Sequence, residues 1–371
     1  MDRFGDVVNH LARSASQYAA SATSTGTVPE RDASLIKLNA NESVYGPSPK
    51  AIAAMRADLE GSHLYPDDNC SALRQKLAER HGVDAKQILV ANGLTALLGI
   101  IARTLLRPGT NAVSSACSFI SYPMVTHAAG AQLVETSLVA SGYDLDALLA
   151  AINADTRLVF LANPNNPTGT LVEAAAVDRF IERVPAHVVV VLDEAYFDYA
   201  QYFAAQRGIV YSRAVEYVLE NRNVVVLRTF SKAHGLAGVR IGYAMGPAEL
   251  IAYFACVQDV FAVSGLAQVA ALAALDDEAH VHNAVEKNAV QAEWMQSELA
   301  ARGYPMFATW TNFVTLEAKQ HSREFARRLR QQGVLVRPLG PWGAPTSIRV
   351  TLGTAEQNQA FVHALTKLSE P

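Results

Sequence analysis

The polar and apolar positions of this chain change period several times. Short β-rich runs recur at residues 87–91, 112–115, 132–136, 157–162, 187–192 and 223–228. Several are apolar without alternation, as expected of strands buried on both faces of a mainly parallel sheet. Between them lie stretches with helical spacing, such as 95–106 and 174–184, so the pattern predicts an α/β architecture with helices covering a central sheet. Upstream, Asp67, Asp68 and Asn69 offer N-caps for a helix through Leu73 and Leu77 that stops near Gly82. Residues 38–49 are polar, proline-broken and without period, a loop placed for its side chains rather than for packing. From about residue 251 the composition turns helical, with an alanine-rich stretch at 266–275 and a long amphipathic one at 277–302. Short segments at 312–316, 322–332, 334–337 and 347–352 then read as strands and one helix. The expected division is an N-terminal arm and substrate loop (1–45), a large domain (46–255) and a smaller α+β domain (256–371).

Composition narrows the function. A chain of 371 residues is long for one core. The formal charge of −4 is spread over both signs with no basic stripe, which argues against nucleic acid and anionic membranes as partners. No apolar run approaches the ~20 residues of a bilayer span. Cys70, Cys117 and Cys256 lie far apart and without metal-type spacing, so no metal site is expected and a reducing, cytoplasmic setting fits best. Asp2 and Asp6 argue against a secretory or transit segment, and residues 14–27 read as an arm.

The chemistry sits where three strands end. Residues 157–163 run into Pro164-Asn-Asn-Pro-Thr-Gly169, 187–192 into Asp193-Glu-Ala-Tyr196, and 223–228 into Thr229 and Lys232. Open α/β sheets bind ligands at the carboxyl ends of their strands, so these clusters converge on one crevice. Lys232, with Thr229 and Ser231 just before it and Arg240 eight positions on, suits a covalently held, phosphorylated aldehyde, with pyridoxal 5'-phosphate as the candidate cofactor. Lysine suits because burial or a neighbouring cation lowers its pKa and frees its lone pair. Asp193 ends an apolar strand, where an unpaired carboxylate costs several kcal/mol; a protonated ring nitrogen would relieve that cost and keep the ring an electron sink. Asn166 and Tyr196 suit the phenolic oxygen of such a ring. Backbone amides at Gly93 and Leu94, opening a helix, suit its phosphate, and Phe119 offers a stacking face.

Taken together, these segments resemble the fold-type I pyridoxal-phosphate aminotransferases, and within them the histidinol-phosphate aminotransferase family. The likeness runs from about Leu38 to Thr354 and rests on order and spacing: Asn39-Ala-Asn-Glu42, Tyr65-Pro66, the Gly93 helix start, Asn165-Asn-Pro-Thr-Gly169, Asp193-Glu-Ala-Tyr196, Ser231-Lys232 with Leu236-Ala-Gly-Val-Arg240, Asn312-Phe-Val314, Val336-Arg-Pro338 and Ile348-Arg-Val350. The resemblance implies that Lys232, Asp193 and Tyr196 are catalytic. It implies that Tyr65 reaches the cofactor phosphate of a second subunit, giving a homodimer with shared sites. It also implies that Arg349 clamps the substrate's anionic group, with Arg337, Tyr45 and Asn166 beside it. The substrates so implied are an amino donor and a 2-oxo acid.

The chain also departs from that pattern. Gly93-Leu-Thr-Ala96 lacks the usual acidic pair, Phe119 stands for a tyrosine, Val260-Phe-Ala-Val-Ser264 replaces a proline- and asparagine-bearing segment, and Asn41-Glu-Ser-Val-Tyr45 differs from the usual Asn-Glu-Asn-Pro-Tyr. These changes surround the pocket and spare Lys232 and Asp193. They leave open a decarboxylase or an elimination and replacement enzyme on the same scaffold, since the bond broken is the one held perpendicular to the ring. A silent binding module is the remaining reading, against which the complete Lys232, Asp193 and Arg349 set argues.

Overall fold

The computed structural model describes residues 35–369; the N-terminal arm inferred above lies outside them. Twelve strands follow in chain order: β1 (Ile36–Lys37), β2 (Ile88–Ala91), β3 (Asn111–Ser115), β4 (Gln132–Thr136), β5 (Thr156–Ala162), β6 (Val189–Asp193), β7 (Val224–Thr229), β8 (Gly242–Met245), β9 (Phe313–Glu317), β10 (Val334–Leu335), β11 (Arg337–Pro338) and β12 (Ser347–Thr351). Seven of them form the central sheet in the order β2-β8-β7-β6-β5-β3-β4. Only β8 runs antiparallel to its neighbours. The six strands expected from the apolar runs are all present within two residues of their expected limits. β8 escaped notice because it is four residues long and follows directly on the polar Lys232–Arg240 loop.

The reason for the apolar runs is visible in burial. Every residue of β2 and β7, and all but one of β5 and β6, is buried. Helices Leu94–Leu105 and Ala174–Arg183 cover the sheet with apolar stripes that include Leu97, Leu98 and Ile101, and Val177, Phe180 and Ile181. The helix Ser71–His81 ends where the sequence places it, but its N-cap is Cys70, in the left-handed region, rather than Asp67, Asp68 or Asn69. Its entry is held by Asp67, whose carboxylate accepts from the Asn69 and Ser71 amides, and its exit by Gly82 in the left-handed region. This first core extends from Ala51 through Leu275, and so takes in the helix Gly265–Leu275.

A second core gathers Leu38 with residues of the helices Glu278–Ala301, Ser322–Gln331 and Ala355–Ser369 and of the antiparallel sheet β11-β12-β9. The run 334–337 divides between two sheets: β10 pairs with β1, and β11 with β12. Through β1, and through the Thr351 amide donating to the Leu38 carbonyl, the segment before the polar loop is built into this second core. The loop itself is then pressed onto the lysine loop. A Cβ at Gly235 would lie 2.1 Å from the Gly46 carbonyl oxygen, and Gly235 has φ +70°, so only glycine fits there.

Strand alternation sorts the polar residues that end β6 and β7. Asp193 faces one side and Glu194 the other. On the far side the Arg228 guanidinium donates twice to Glu194 Oε2, at 2.9 and 2.8 Å, with both side chains under a tenth exposed. The Ser212 hydroxyl donates to the other Glu194 oxygen. Arg228 also lies 3.4 Å from the centre of the Phe197 ring. A buried pair of this kind is costly to break, because one partner is left charged and dry. Glu194→Gln is expected to lower unfolding stability by ~3–5 kcal/mol, read as a shifted urea midpoint of the apoprotein. A shift equivalent to under ~1 kcal/mol, the range of a surface pair, would show that the pair does not brace these strand ends.

Candidate active site

A cavity of about 240 Å³ opens at the carboxyl ends of β5, β6 and β7. Its walls include Leu94, Thr95, Phe119, Asn166, Asp193, Tyr196, Thr229, Ser231, Lys232 and Arg240. Nine of these ten were expected from sequence as cofactor contacts, and Thr95 is the residue that stands where an acidic one is usual. Gly93 lies just behind. It is the N-cap of Leu94–Leu105 at φ 84°, and a Cβ there would come within 2.7 Å of Arg240 Nη2. A bare helix N-terminus, an arginine laid across it, and the hydroxyls of Thr229 and Ser231 make an anion cradle. Arg240 is itself in the left-handed region at φ 62° and donates to the Ala237 carbonyl at 3.0 Å.

Lys232 reaches into this cavity and donates to the Asn41 carbonyl at 3.3 Å. Burial, and then the Arg349 guanidinium, push its amine down to about 8, with Glu42 pulling the other way. Asp193 is 4 % exposed. Its carboxylate accepts from the Tyr122 hydroxyl at 3.0 Å and from the Ala195 amide at 3.1 Å, yet burial still pushes it up to about 6. A carboxylate raised by burial is one that gains from a cationic partner. The Tyr196 hydroxyl accepts from Asn41 Nδ2 at 2.8 Å and Asn166 Nδ2 at 3.2 Å, which leaves its own O–H to donate.

The two arginines expected at the substrate's anionic group are adjacent, as the short return between their strands predicts. Arg337 and Arg349 are register partners on β11 and β12. Arg337 Nε and Arg349 Nη2 both donate to the Asn39 carbonyl, each at 3.2 Å. Arg349 Nη1 donates to Asn166 Oδ1 at 2.6 Å, while its Nε is buried without a partner. Burial pulls the Arg349 pKa down to about 10, which still leaves it charged at neutral pH. Among the described residues no carboxylate forms an ion pair with Arg349, so a dry cation faces neutral acceptors only. That is the situation of a binding site for an anion.

Arg337 and Arg349 do not line the cavity, Arg349 meeting its wall through Asn166, and Tyr65 and Tyr45 stand apart from it as well. Tyr65 is 82 % exposed and stacks on Phe261, with ring centres 4.4 Å apart. Tyr45 is half-buried, with the Lys287 amine 5.7 Å from its ring centre. Sequence reasoning missed three contributors. Asn41 sits at φ 56° and joins Tyr196, Lys232, Thr351 and Asn312 through its side chain and backbone. Glu42 lines the cavity. Tyr122 holds Asp193. The polar, aperiodic loop at 38–49 was the available signal for the first two.

The depressed lysine carries a prediction. In the apoprotein, modification of Lys232 by an amine-directed reagent should follow a midpoint near pH 8, because the reactive species is the free amine. In Arg349→Ala the midpoint should move up, since a neighbouring cation is lost. A wild-type midpoint at the ordinary lysine value of 10.5 would contradict the buried, cation-coupled environment.

Comparison with known proteins agrees with this geometry. The family described as aminotransferase class I and II matches residues 33–365. Histidinol-phosphate aminotransferase 2 of Pseudomonas aeruginosa is 41 % identical over 336 residues, covering 91 % of this chain and 89 % of that protein. The histidinol-phosphate aminotransferase of Moorella thermoacetica is 41 % identical over 334 residues, 90 % of this chain and 85 % of that one. The crystal structure of histidinol-phosphate aminotransferase from Sinorhizobium meliloti, in complex with pyridoxal-5'-phosphate, superposes with a TM-score of 0.84 at 27 % identity, covering 99 % of this chain and 98 % of that one. With nearly its whole length matched, the chain belongs to the class I and II aminotransferases.

Proposed function

We propose that this pyridoxal-phosphate-dependent aminotransferase takes its amino group from histidinol phosphate or a close phosphorylated analogue and passes it to a 2-oxo acid. The observation that carries the reading is the adjacent pair of half-buried Arg337 and buried Arg349, joined through the Asn39 carbonyl and linked by Asn166 to the cavity that holds Lys232. One arginine suffices for a carboxylate, whereas two side by side suit a dianion. The names of the Pseudomonas and Moorella relatives support the same substrate.

The residues present fit the cofactor: a cavity walled by Phe119, a carboxylate in want of a cation, an amine in its reactive range and an anion cradle at Gly93 and Arg240. When bound, pyridoxal phosphate supplies an electron sink for the charge that develops on the donor's α-carbon. Lys232 binds the cofactor and, when its amine is freed, takes and returns the α-carbon proton. Asp193 keeps the ring nitrogen protonated. Tyr196, primed by Asn41 and Asn166, donates to the ring's oxygen. Thr229, Ser231, Arg240 and the Gly93 and Leu94 amides hold the phosphate, while Arg349, Arg337 and Asn166 orient the donor, with Tyr45 at the edge of the site.

The two cores behave as a large and a small domain in this reading. Two copies associate so that Tyr65 serves the partner's phosphate site, which is supported by the exposed apolar patch of Leu64, Tyr65, Val260 and Phe261. Closed two-fold dimers are the common solution for such a self-complementary patch. The unpaired Cys70, Cys117 and Cys256 support a cytoplasmic setting, and no helix among the described residues is long and apolar enough to cross a membrane.

Arg349→Ala is expected to lose ~2–5 kcal/mol of donor interaction, the cost of truncating a buried charged partner. Arg337→Ala should lose a comparable amount with histidinol phosphate and little with a neutral amino acid. Steady-state kcat/KM for both donors checks this. A preference for neutral amino acids with Arg337→Ala silent would remove the phosphorylated donor and leave the transferase. For the dimer, sedimentation should give twice the chain mass, and Tyr65→Phe should loosen cofactor retention. Full retention in a monomeric species would contradict the shared site.

A further inference from the structure

Tyr122 belongs to the helix Ser121–Ala128, not to any of the strands that end at the cavity, yet its hydroxyl meets Asp193 Oδ2 at 3.0 Å. The residue is 1 % exposed, and its ring is immobilised from two sides. It lies flat on Phe160, with centres 4.6 Å apart and planes 4° from parallel, and it meets Phe119 edge-on at 5.7 Å and 84°. Phe119 is the cavity wall, so one side chain ties the stacking face to the carboxylate. Burial pushes the Tyr122 hydroxyl well above its ordinary pKa, so it remains a donor throughout the working range.

We infer that Tyr122 is the positioning residue of Asp193: its hydroxyl occupies Oδ2 and holds the carboxylate ionised and in one orientation towards the cavity. The inference rests on the reading of Asp193 as partner of the cofactor's ring nitrogen. The other groups that face Asp193 do not duplicate this role. Lys232 attracts it from across the cavity without a hydrogen bond. Glu194 is turned to the opposite face and paired with Arg228. Tyr143 is hydrogen-bonded to Ser118 and the Ala162 amide, Tyr196 to Asn41 and Asn166, and Tyr211 to the Asn163 carbonyl. Among the described residues only the Ala195 amide shares the carboxylate, and it holds the other oxygen. Removing the Tyr122 oxygen therefore leaves Oδ2 dry and unbonded, the expensive outcome for a buried charge.

The same contacts would also exist if Tyr122 merely filled space between Phe160 and Phe119, and the test separates the two roles. Cofactor release from the holoenzyme, followed by absorbance in the presence of a trap for free pyridoxal phosphate, is measured for wild type, Tyr122→Phe, Asp193→Asn and the double variant. Asp193→Asn should release at least ~10-fold faster and Tyr122→Phe ~3- to 10-fold faster, the range expected when a hydrogen bond of ordinary net strength is lost. The double variant should match Asp193→Asn alone, because Tyr122 acts through the carboxylate. Tyr122→Phe should also lower kcat while leaving the donor KM within about twofold, since Arg349 is untouched. An equal acceleration by Tyr122→Phe in both backgrounds, or none in either, overturns the inference in favour of packing. If Asp193→Asn itself releases at the wild-type rate, the reading of Asp193 fails, and the inference falls with it. Should Tyr122→Phe not fold, fluorinated tyrosines at position 122 keep the shape and strengthen the donor. Release should slow along that series, and a flat series overturns the inference.

Discussion

The site depends on how the end of β6 places two adjacent carboxylates in opposite environments. Asp193 and Glu194 are both buried, and at a strand end their side chains leave on opposite faces. Below the sheet, Glu194 is fully answered by Arg228 and Ser212. Above it, Asp193 has only a phenol and an amide, and burial holds it near 6. Exchange of the two environments would leave a cofactor site without its anion and a core with an unpaired charge. Register fixes the outcome: a one-residue slip of β6 against β7 would carry both carboxylates to the wrong face.

The same economy of neutral partners recurs at the mouth. Arg349 donates to Asn166 and to the Asn39 carbonyl, and Tyr196 accepts from two asparagine amides, so oriented neutral dipoles rather than ion pairs face these groups. Preorganised dipoles stabilise charge that arrives or develops without first having to break an existing pair. Asn166 touches both Arg349 and Tyr196, and Asn41 touches both Tyr196 and Lys232. A chain of short contacts thereby runs from the substrate-facing cation to the reactive amine.

Much of this was legible in the chain because the large sheet advertises itself. Three wholly apolar runs, each followed at once by polar residues, leave few alternatives to buried parallel strands with their chemistry at one edge. The pairing of Arg337 with Arg349 was legible too, because only a short proline- and glycine-bearing turn separates them. What stayed hidden depends on contacts distant in sequence. Tyr122 and Asp193 are 71 positions apart, and Asn41 and Tyr196 are 155 apart. Neither pair has a periodic signature, and a tyrosine three residues after Phe119 reads as an ordinary apolar helix position. The two-residue strand β1 is shorter than any period can reveal, so the attachment of the substrate loop to the second core emerges only from the fold.

The coupling between Arg349 and Lys232 gives this arrangement a direction. While the arginine is unanswered, its charge is one of the pushes that hold the amine near 8, and a fraction of the free base is available to bind at neutral pH. An anion seated on Arg349 cancels that push without touching burial, the largest cause of the shift. The amine then becomes more basic at the moment a donor has been captured, which is when it must accept a proton instead of attacking a carbon. Glu42, on the same loop as Asn41 and already drawing the amine upward, acts in the same sense. Under the proposed function, Arg349 thus both holds the donor's anion and sets the proton affinity of Lys232, and a donor without an anionic group would forfeit both effects together.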